Sequence, residues 1–217
     1  MKKKLDMLIF DLDGTLWETT DTSYETIKEI VKENNVPYEI TRETVMKTMG
    51  CTYEQAAKNY FPDYEEEKRY KMFDLFLETN SKKLFEIGGN VYQNLENILI
   101  KLKEKYKLAI VSNCVDGYIE AFLNSSGLEK YVDDYLPAGK YRLEKGEAIK
   151  RVIERNNAQS AIYIGDTDKD YNASVMAGIP FIHAKYGFQK DLESEYSIDD
   201  ISELLDLLKI FEFDINT

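Results

Sequence analysis

Four short apolar runs constrain this chain more than any other feature: Met7 to Phe10, Leu108 to Val111, Ala161 to Ile164 and Ile179 to Ile182. Each is rich in Ile, Val or Phe and nearly free of polar alternation, the pattern of strands buried on both faces of a parallel sheet. Helical periodicity separates them. Leu95, Ile98, Leu99, Leu102 and Tyr106 recur at helix spacing, and Ile149, Val152 and Ile153 do so just ahead of the third run. Alternating strand and helix predicts an α/β fold, a three-layer α/β/α sandwich around a parallel sheet with right-handed crossovers.

The alternation stops between about Thr19 and Phe85. There Ile27, Ile30 and Val31, then Val45, Met46 and Met49, then Phe73, Phe76 and Leu77 read as helix faces. Asn34 to Pro37 and Phe61 to Asp63 break these helices, and Gly88-Gly89-Asn90 marks the return to the sheet. The expectation is a core over residues 1–17 and 86–217 with a helical insertion over 18–85. At 217 residues the chain has room for one sizeable core plus such an insertion, and no more. Ile201, Leu204, Leu205, Leu207 and Leu208 predict a last amphipathic helix, and Ile210 to Phe213 a short edge strand or tail.

Charge narrows the partners. A net charge of −12 repels polyanions and leaves no basic stripe for a nucleic-acid backbone, so no nucleic acid is expected. A phosphorylated ligand would need local positive charge, from a metal ion or a few lysines. Cys51 and Cys114 lack the paired spacing of zinc or redox motifs and read as reduced thiols. Met1-Lys2-Lys3-Lys4 imitates the start of an export signal, but the apolar run that follows ends at Phe10, too short for export or a membrane span. A cytoplasmic protein, monomeric or homodimeric and without a membrane partner, is expected.

Three of the runs end in polar residues. Phe10 is followed by Asp11 and Asp13, Val111 by Ser112 and Asn113, and Ile164-Gly165 by Asp166 and Asp170. In an open parallel sheet ligands bind beyond the carboxyl ends of the strands, so these residues should converge. In Asp11-Leu12-Asp13-Gly14-Thr15, one carboxylate can attack phosphorus, and a second, two residues on, can protonate the leaving oxygen and later activate water. An Asx-type turn with solvated aspartates would explain this motif alone, but not the other two clusters.

Gly165 to Asp170 sets three more carboxylates at another strand end. Hard divalent cations take oxygen ligands, and Asp166, with Asp11 opposite, is the expected pair for Mg²⁺. Asp168 suits the first turn of a helix, where a negative charge complements the dipole. Ser112 and Asn113 offer groups for phosphate oxygens, and Lys145, opening the helix before the third run, can balance phosphoryl charge. The single histidine, His183, is read as structural or at the crevice rim, and one histidine cannot build a histidine-rich zinc site. No Gly-x-x-x-x-Gly-Lys-Ser/Thr loop and no Gly-x-Ser-x-Gly elbow occurs, and Cys114 has Glu120 where a cysteine phosphatase has arginine, so it reads as a small core residue.

Taken together, from about Met7 to Tyr186, these clusters resemble the haloacid dehalogenase superfamily. The resemblance is to its phosphatases with a helical, C1-type cap inserted after the first strand, those of the phosphoglycolate-phosphatase kind. It implies a Rossmann-like core, Asp11 as nucleophile, Asp13 as general acid and base, and Mg²⁺ held by Asp11, the backbone carbonyl of Asp13, and Asp166. Ser112 and Lys145 would hold the phosphoryl group, with Asn113 beside Ser112 as the further phosphate-binding candidate from its strand end, and Asp170 would orient the metal shell or the lysine. Many relatives carry Gly-Lys-Pro at the lysine motif; this chain has Gly139-Lys140-Tyr141 and then Lys145-Gly146-Glu147. Either lysine would serve, and Lys145 is preferred because it directly precedes the Ile149 helix.

Intact Asp13 argues against dehalogenases and phosphonatases, and after Met49-Gly50 come Cys51, Thr52 and Tyr53 where phosphonatases carry a lysine. That stretch and Trp17 are candidate substrate contacts, with packing an equal reading for Trp17. The expected activity is Mg²⁺-dependent hydrolysis of a small phosphorylated metabolite through an aspartyl-phosphate. The alternatives are a phosphosugar mutase on the same scaffold and a non-catalytic protein that binds a phosphorylated ligand.

Overall fold

The computed structural model describes residues 5–213. The chain runs β1 (Met7–Phe10), β2 (Trp17–Glu18), α1 (Thr20–Glu33), α2 (Arg42–Thr48), α3 (Tyr53–Tyr60), α4 (Glu66–Ile87), β3 (Asn90–Val91), α5 (Leu95–Lys103) and β4 (Lys107–Ser112). It continues with α6 (Tyr118–Ser126), β5 (Asp134–Pro137), α7 (Lys145–Arg155), β6 (Ala161–Gly165), α8 (Asp168–Ala177), β7 (Phe181–Ala184), β8 (Ser197–Ile198) and α9 (Leu204–Phe213).

Six strands form one parallel sheet in the order β5-β4-β1-β6-β7-β8. Successive residues of β1 serve opposite layers, as the two-residue period of a strand requires. Leu8 and Phe10 join the cluster built with Ile98, Leu99 and Phe122, whereas Met7 and Ile9 join the one built with Ala148, Ile149 and Val152. Burying one such side chain contributes about 1.5–3 kcal/mol, so both faces of the sheet hold it in place.

The insertion has its own apolar cluster, including Ile27, Ile30, Val45, Tyr60, Phe73 and Phe76. Its entry and exit are tied together: β2 and β3 pair antiparallel, Trp17 opposite Val91 and Glu18 opposite Asn90. The long helix α4 belongs to both regions, since Phe73 and Phe76 lie in the insertion's cluster and Leu84 in that of the sheet. It continues to Ile87, two residues past the expected edge of the insertion at 85.

Some expectations are corrected. The fourth strand is shifted to Phe181–Ala184, because Gly178 ends α8 in a left-handed turn (φ 74°) and Pro180 has no N–H to give a ladder. Ile210 to Phe213 is neither strand nor tail: α9 continues through it, and Phe211 packs on the sheet's cluster. Met46 is largely exposed, while α3 supplies a helix that no periodicity announced. Strand β5, with Asp134 at its start and Pro137 at its end, lacks an apolar run altogether. Residues Met1-Lys2-Lys3-Lys4 lie outside the described residues; among those described, no helix is long and apolar enough to cross a membrane.

Candidate active site

Register brings the polar strand ends together. Phe10 is level with Ile110 of β4 and with Ile164 of β6, so Asp11, Ser112 and Asp166 follow at one edge of the sheet. One carboxylate oxygen from each of Asp11, Asp166 and Asp170 lies within 4.8 Å of the other two, and all three residues are buried. Asp170 arrives from the first turn of α8, where its Oδ2 accepts from Thr167 N (3.1 Å) and Oγ1 (2.6 Å).

Lys145, at the start of α7, is buried and donates to Asp11 Oδ1 (2.9 Å) and Asp170 Oδ1 (2.7 Å). Lys140 instead pairs with Asp116 at the surface. Burial works against the Lys145 charge, but Asp11 and Asp170 outweigh it and hold the ammonium above its ordinary range. Burial, with Asp170 nearby, pushes Asp11 up to about 7 despite the lysine. Asp166 is driven well above the carboxylate range by burial and by Asp170 and Asp11.

Three carboxylates against one ammonium leave an excess of negative charge in a buried place. Asp166 Oδ2 accepts from Phe188 N (2.6 Å), but its Oδ1 is buried without a partner. The backbone crowds this carboxylate on purpose-built glycines: a Cβ on Gly14 (φ +81°) would lie 2.2 Å from Asp166 Oδ2, and one on Gly187 2.3 Å from Asp166 Cβ. An orphaned oxygen, uncompensated charge and an all-oxygen donor set fit a hard divalent cation held by Asp11 and Asp166.

Asp13 stands apart from this cluster, at the turn after β1, and lines a cleft between sheet and insertion. Its Oδ1 accepts from Tyr118 Oη (2.8 Å) and Thr19 Oγ1 (3.1 Å). Burial pushes it up to about 6, against the pull of those two hydrogen bonds. Ser112 is buried at the end of β4, on the cleft wall. Asn113 also lines the cleft, and its Nδ2 donates to Gly50 O (3.2 Å) of the insertion. Gly50 lies in the Met49-Gly50 stretch singled out from the sequence, and Cys51 and Tyr53 line the same cleft, whereas Thr52 caps α3.

Other candidates fall outside the site. Trp17 is fully buried, edge-on to Tyr118 (5.5 Å) and Phe122 (5.2 Å), so the packing reading holds for it. His183 is fully buried in β7 and pairs with Gln189 O, away from any rim. Cys114 packs against the sheet's apolar cluster, as expected, and also lines the cleft; burial pushes its thiol up, with Asp13 adding to the effect. Asp168 is exposed in the first turn of α8. Sequence reasoning missed Tyr118 and Thr19, the two groups that fix Asp13. Thr19 sits where no pattern marks it, and Tyr118 is 105 positions from its partner.

The chain matches the model of a family described as haloacid dehalogenase-like hydrolase over residues 8–184. It is similar to a pyrophosphatase PpaX of Listeria welshimeri, 26% identical, with 96% of this chain and 99% of that protein covered. A phosphoglycolate phosphatase of Aquifex aeolicus is 26% identical over 95% of this chain and 96% of its own. Among solved structures, one described as a predicted phosphoglycolate phosphatase from Haemophilus somnus superposes with a TM-score of 0.83 at 18% identity, covering 96% of this chain and all of the other.

Proposed function

The chain belongs to the haloacid dehalogenase-like hydrolase family, and from that membership we propose that it hydrolyses small phosphomonoesters through an aspartyl-phosphate on Asp11, with Mg²⁺ as cofactor. One observation carries the reading. Asp11 shares Lys145 with Asp170 at the bottom of the site, while Asp13, two residues on, is held separately by Tyr118 and Thr19 at the cleft. Two carboxylates of one turn thus have different environments, which is how one acts as nucleophile and the other as acid and base.

Asp11 attacks phosphorus; the bond to the ester oxygen breaks as the Oδ–P bond forms, and Asp13 gives its proton to the departing oxygen. Held up to about 6 by burial, Asp13 carries that proton more readily than an ordinary aspartate near neutral pH. Water then attacks the aspartyl-phosphate, its proton passes to Asp13, and inorganic phosphate leaves with Asp11 restored. Lys145 and Ser112 hold the phosphoryl oxygens, and Asp170 positions Lys145 by its 2.7 Å hydrogen bond. Asp11, the carbonyl of Asp13, and Asp166 would hold Mg²⁺, which when bound offsets the negative charge of phosphoryl group and nucleophile.

Helices α1 to α4 serve in this reading as a cap over the site, hinged at the β2 and β3 pair. Release of phosphate from para-nitrophenyl phosphate, with Mg²⁺ and with chelator, is the test. Asp11→Asn should abolish it while thermal unfolding stays cooperative; undiminished turnover by that variant overturns the proposal.

A further inference from the structure

The cleft in front of Asp13 is open to solvent and holds a cavity of about 100 Å³ between its walls. Its wall on the insertion side is aromatic: Tyr53, Tyr60, Phe73 and Phe76. Their rings touch one another, Tyr60 and Phe76 at 4.8 Å and Tyr53 and Phe73 at 5.2 Å between centroids. Among the described residues lining the cleft, Asp13 is the only charged one, and no lysine or arginine is among them. Lys145 is occupied by Asp11 and Asp170, and Lys169 reaches only Cys51 Sγ, at 3.1 Å.

Asn80 adds a polar point to this wall. It is 4% exposed and lines the cleft; its Nδ2 donates to Ser23 Oγ (3.1 Å), and its Oδ1 is buried without a partner. If the amide is turned over, Ser23 can donate to the oxygen and the NH₂ is the group left over, so one polar atom lacks a partner in either orientation. A hydroxyl, both donor and acceptor, satisfies either.

A carboxylate or second phosphate placed in this cleft would lose water, face Asp13 and find no cation on the cleft wall itself, only Lys169 behind Cys51 Sγ. A flat apolar ring would meet four aromatic side chains, and a hydroxyl on it would meet Asn80. Resting on the phosphatase reading above, we propose that the substrate is a phosphomonoester of an uncharged, ring-bearing alcohol carrying a hydroxyl, and that Asn80 selects it. The relatives named pyrophosphatase and phosphoglycolate phosphatase act, by those names, on esters or anhydrides with an anionic remainder. This cleft is built for the opposite.

The test compares kcat/KM with Mg²⁺ for benzyl phosphate, para-hydroxymethylbenzyl phosphate, para-carboxybenzyl phosphate and pyrophosphate. The two neutral esters should exceed both anionic compounds by about 100-fold, the cost of an unpaired charge in a partly dry site. The hydroxymethyl ester should exceed benzyl phosphate by about tenfold, and Asn80→Leu should bring those two to parity. Turnover of the carboxybenzyl ester or pyrophosphate equal to that of benzyl phosphate overturns the proposal, most directly if Lys169→Met removes it. Turnover that persists in Asp11→Asn, or none with any compound, overturns the phosphatase reading and this inference with it; Asp11-dependent turnover in the wrong order overturns only the inference.

Discussion

The sheet and the helical insertion bury aromatic side chains to different ends. In the sheet region Phe122 and Trp17 pack edge to face with no exposed surface, and the carboxylates of Asp11 and Asp166 sit at strand ends. In the insertion Tyr60, Phe73 and Phe76 are nearly as buried, yet one side of their cluster is the wall of a cleft. One region spends its apolar surface on holding charged groups still; the other spends it on a surface that a ligand completes. Chemistry should therefore fail uniformly when the sheet region is altered, and selectively when the insertion is.

After the abolition expected for Asp11→Asn, the largest effect should come from Asp13→Asn, which removes the proton donor: a loss of about 10²–10⁴ in kcat on benzyl phosphate and its hydroxymethyl analogue alike. A loss that depends strongly on which of these two is used would break the division of labour. Next is stability. Phe122→Ala should cost about 3–5 kcal/mol in chemical denaturation, and Phe76→Ala at least about 1 kcal/mol less, because the space it vacates joins a cleft that water already enters. Equal losses would place Phe76 in an ordinary core.

Metal removal ranks third. Saturating Mg²⁺, about 100 times its Kd, should stabilise the stripped protein by about 2.7 kcal/mol in thermal unfolding. The gain should grow with pH. Asp11, from an ordinary 3.8, is held up to about 7 by burial and Asp170, so the folded state binds the extra proton and the metal-free fold loses stability as pH rises through about 7. Below that the ion must displace protons. A shift of the same size at pH 5.5 and pH 8 would remove this linkage. The smallest effect belongs to Tyr118→Phe, which deletes the 2.8 Å bond to Asp13. That bond favours the ionised carboxylate, so its loss should raise Asp13 above about 6, move the limb of the pH profile to higher pH and cost up to about tenfold in kcat.

The strand ends could be read because burial on both faces forces continuous apolar runs; Asp11 and Ser112 follow two of them directly, and Asp166 follows a third after Gly165. Strand β5 could not, because it is only four residues long, its first two are only partly buried and one of them is Asp134, and a proline ends it. Helix α3 could not either: its buried positions are two alanines and a tyrosine, too weak a pattern beside Glu54, Lys58 and Asn59. Within the site, Lys145 was preferred over Lys140 from its place directly before the Ile149 helix, but the sequence held no sign of what each lysine pairs with. Both lysines precede that helix, and only the packing of α7 and α8 against the sheet buries one and leaves the other on Asp116.

Sequence by itself determined the α/β class, the helical insertion and the clustering of carboxylates at strand ends, since each follows from local periodicity and from where an apolar run must stop. The tertiary structure decided which groups surround those carboxylates. Tyr118 on Asp13, the lone Oδ1 of Asp166 and the aromatic cleft facing Asn80 depend on contacts between residues tens to more than a hundred positions apart. Such contacts leave no period in the chain, because they are set by how helices and sheet pack and not by the order of the residues that meet.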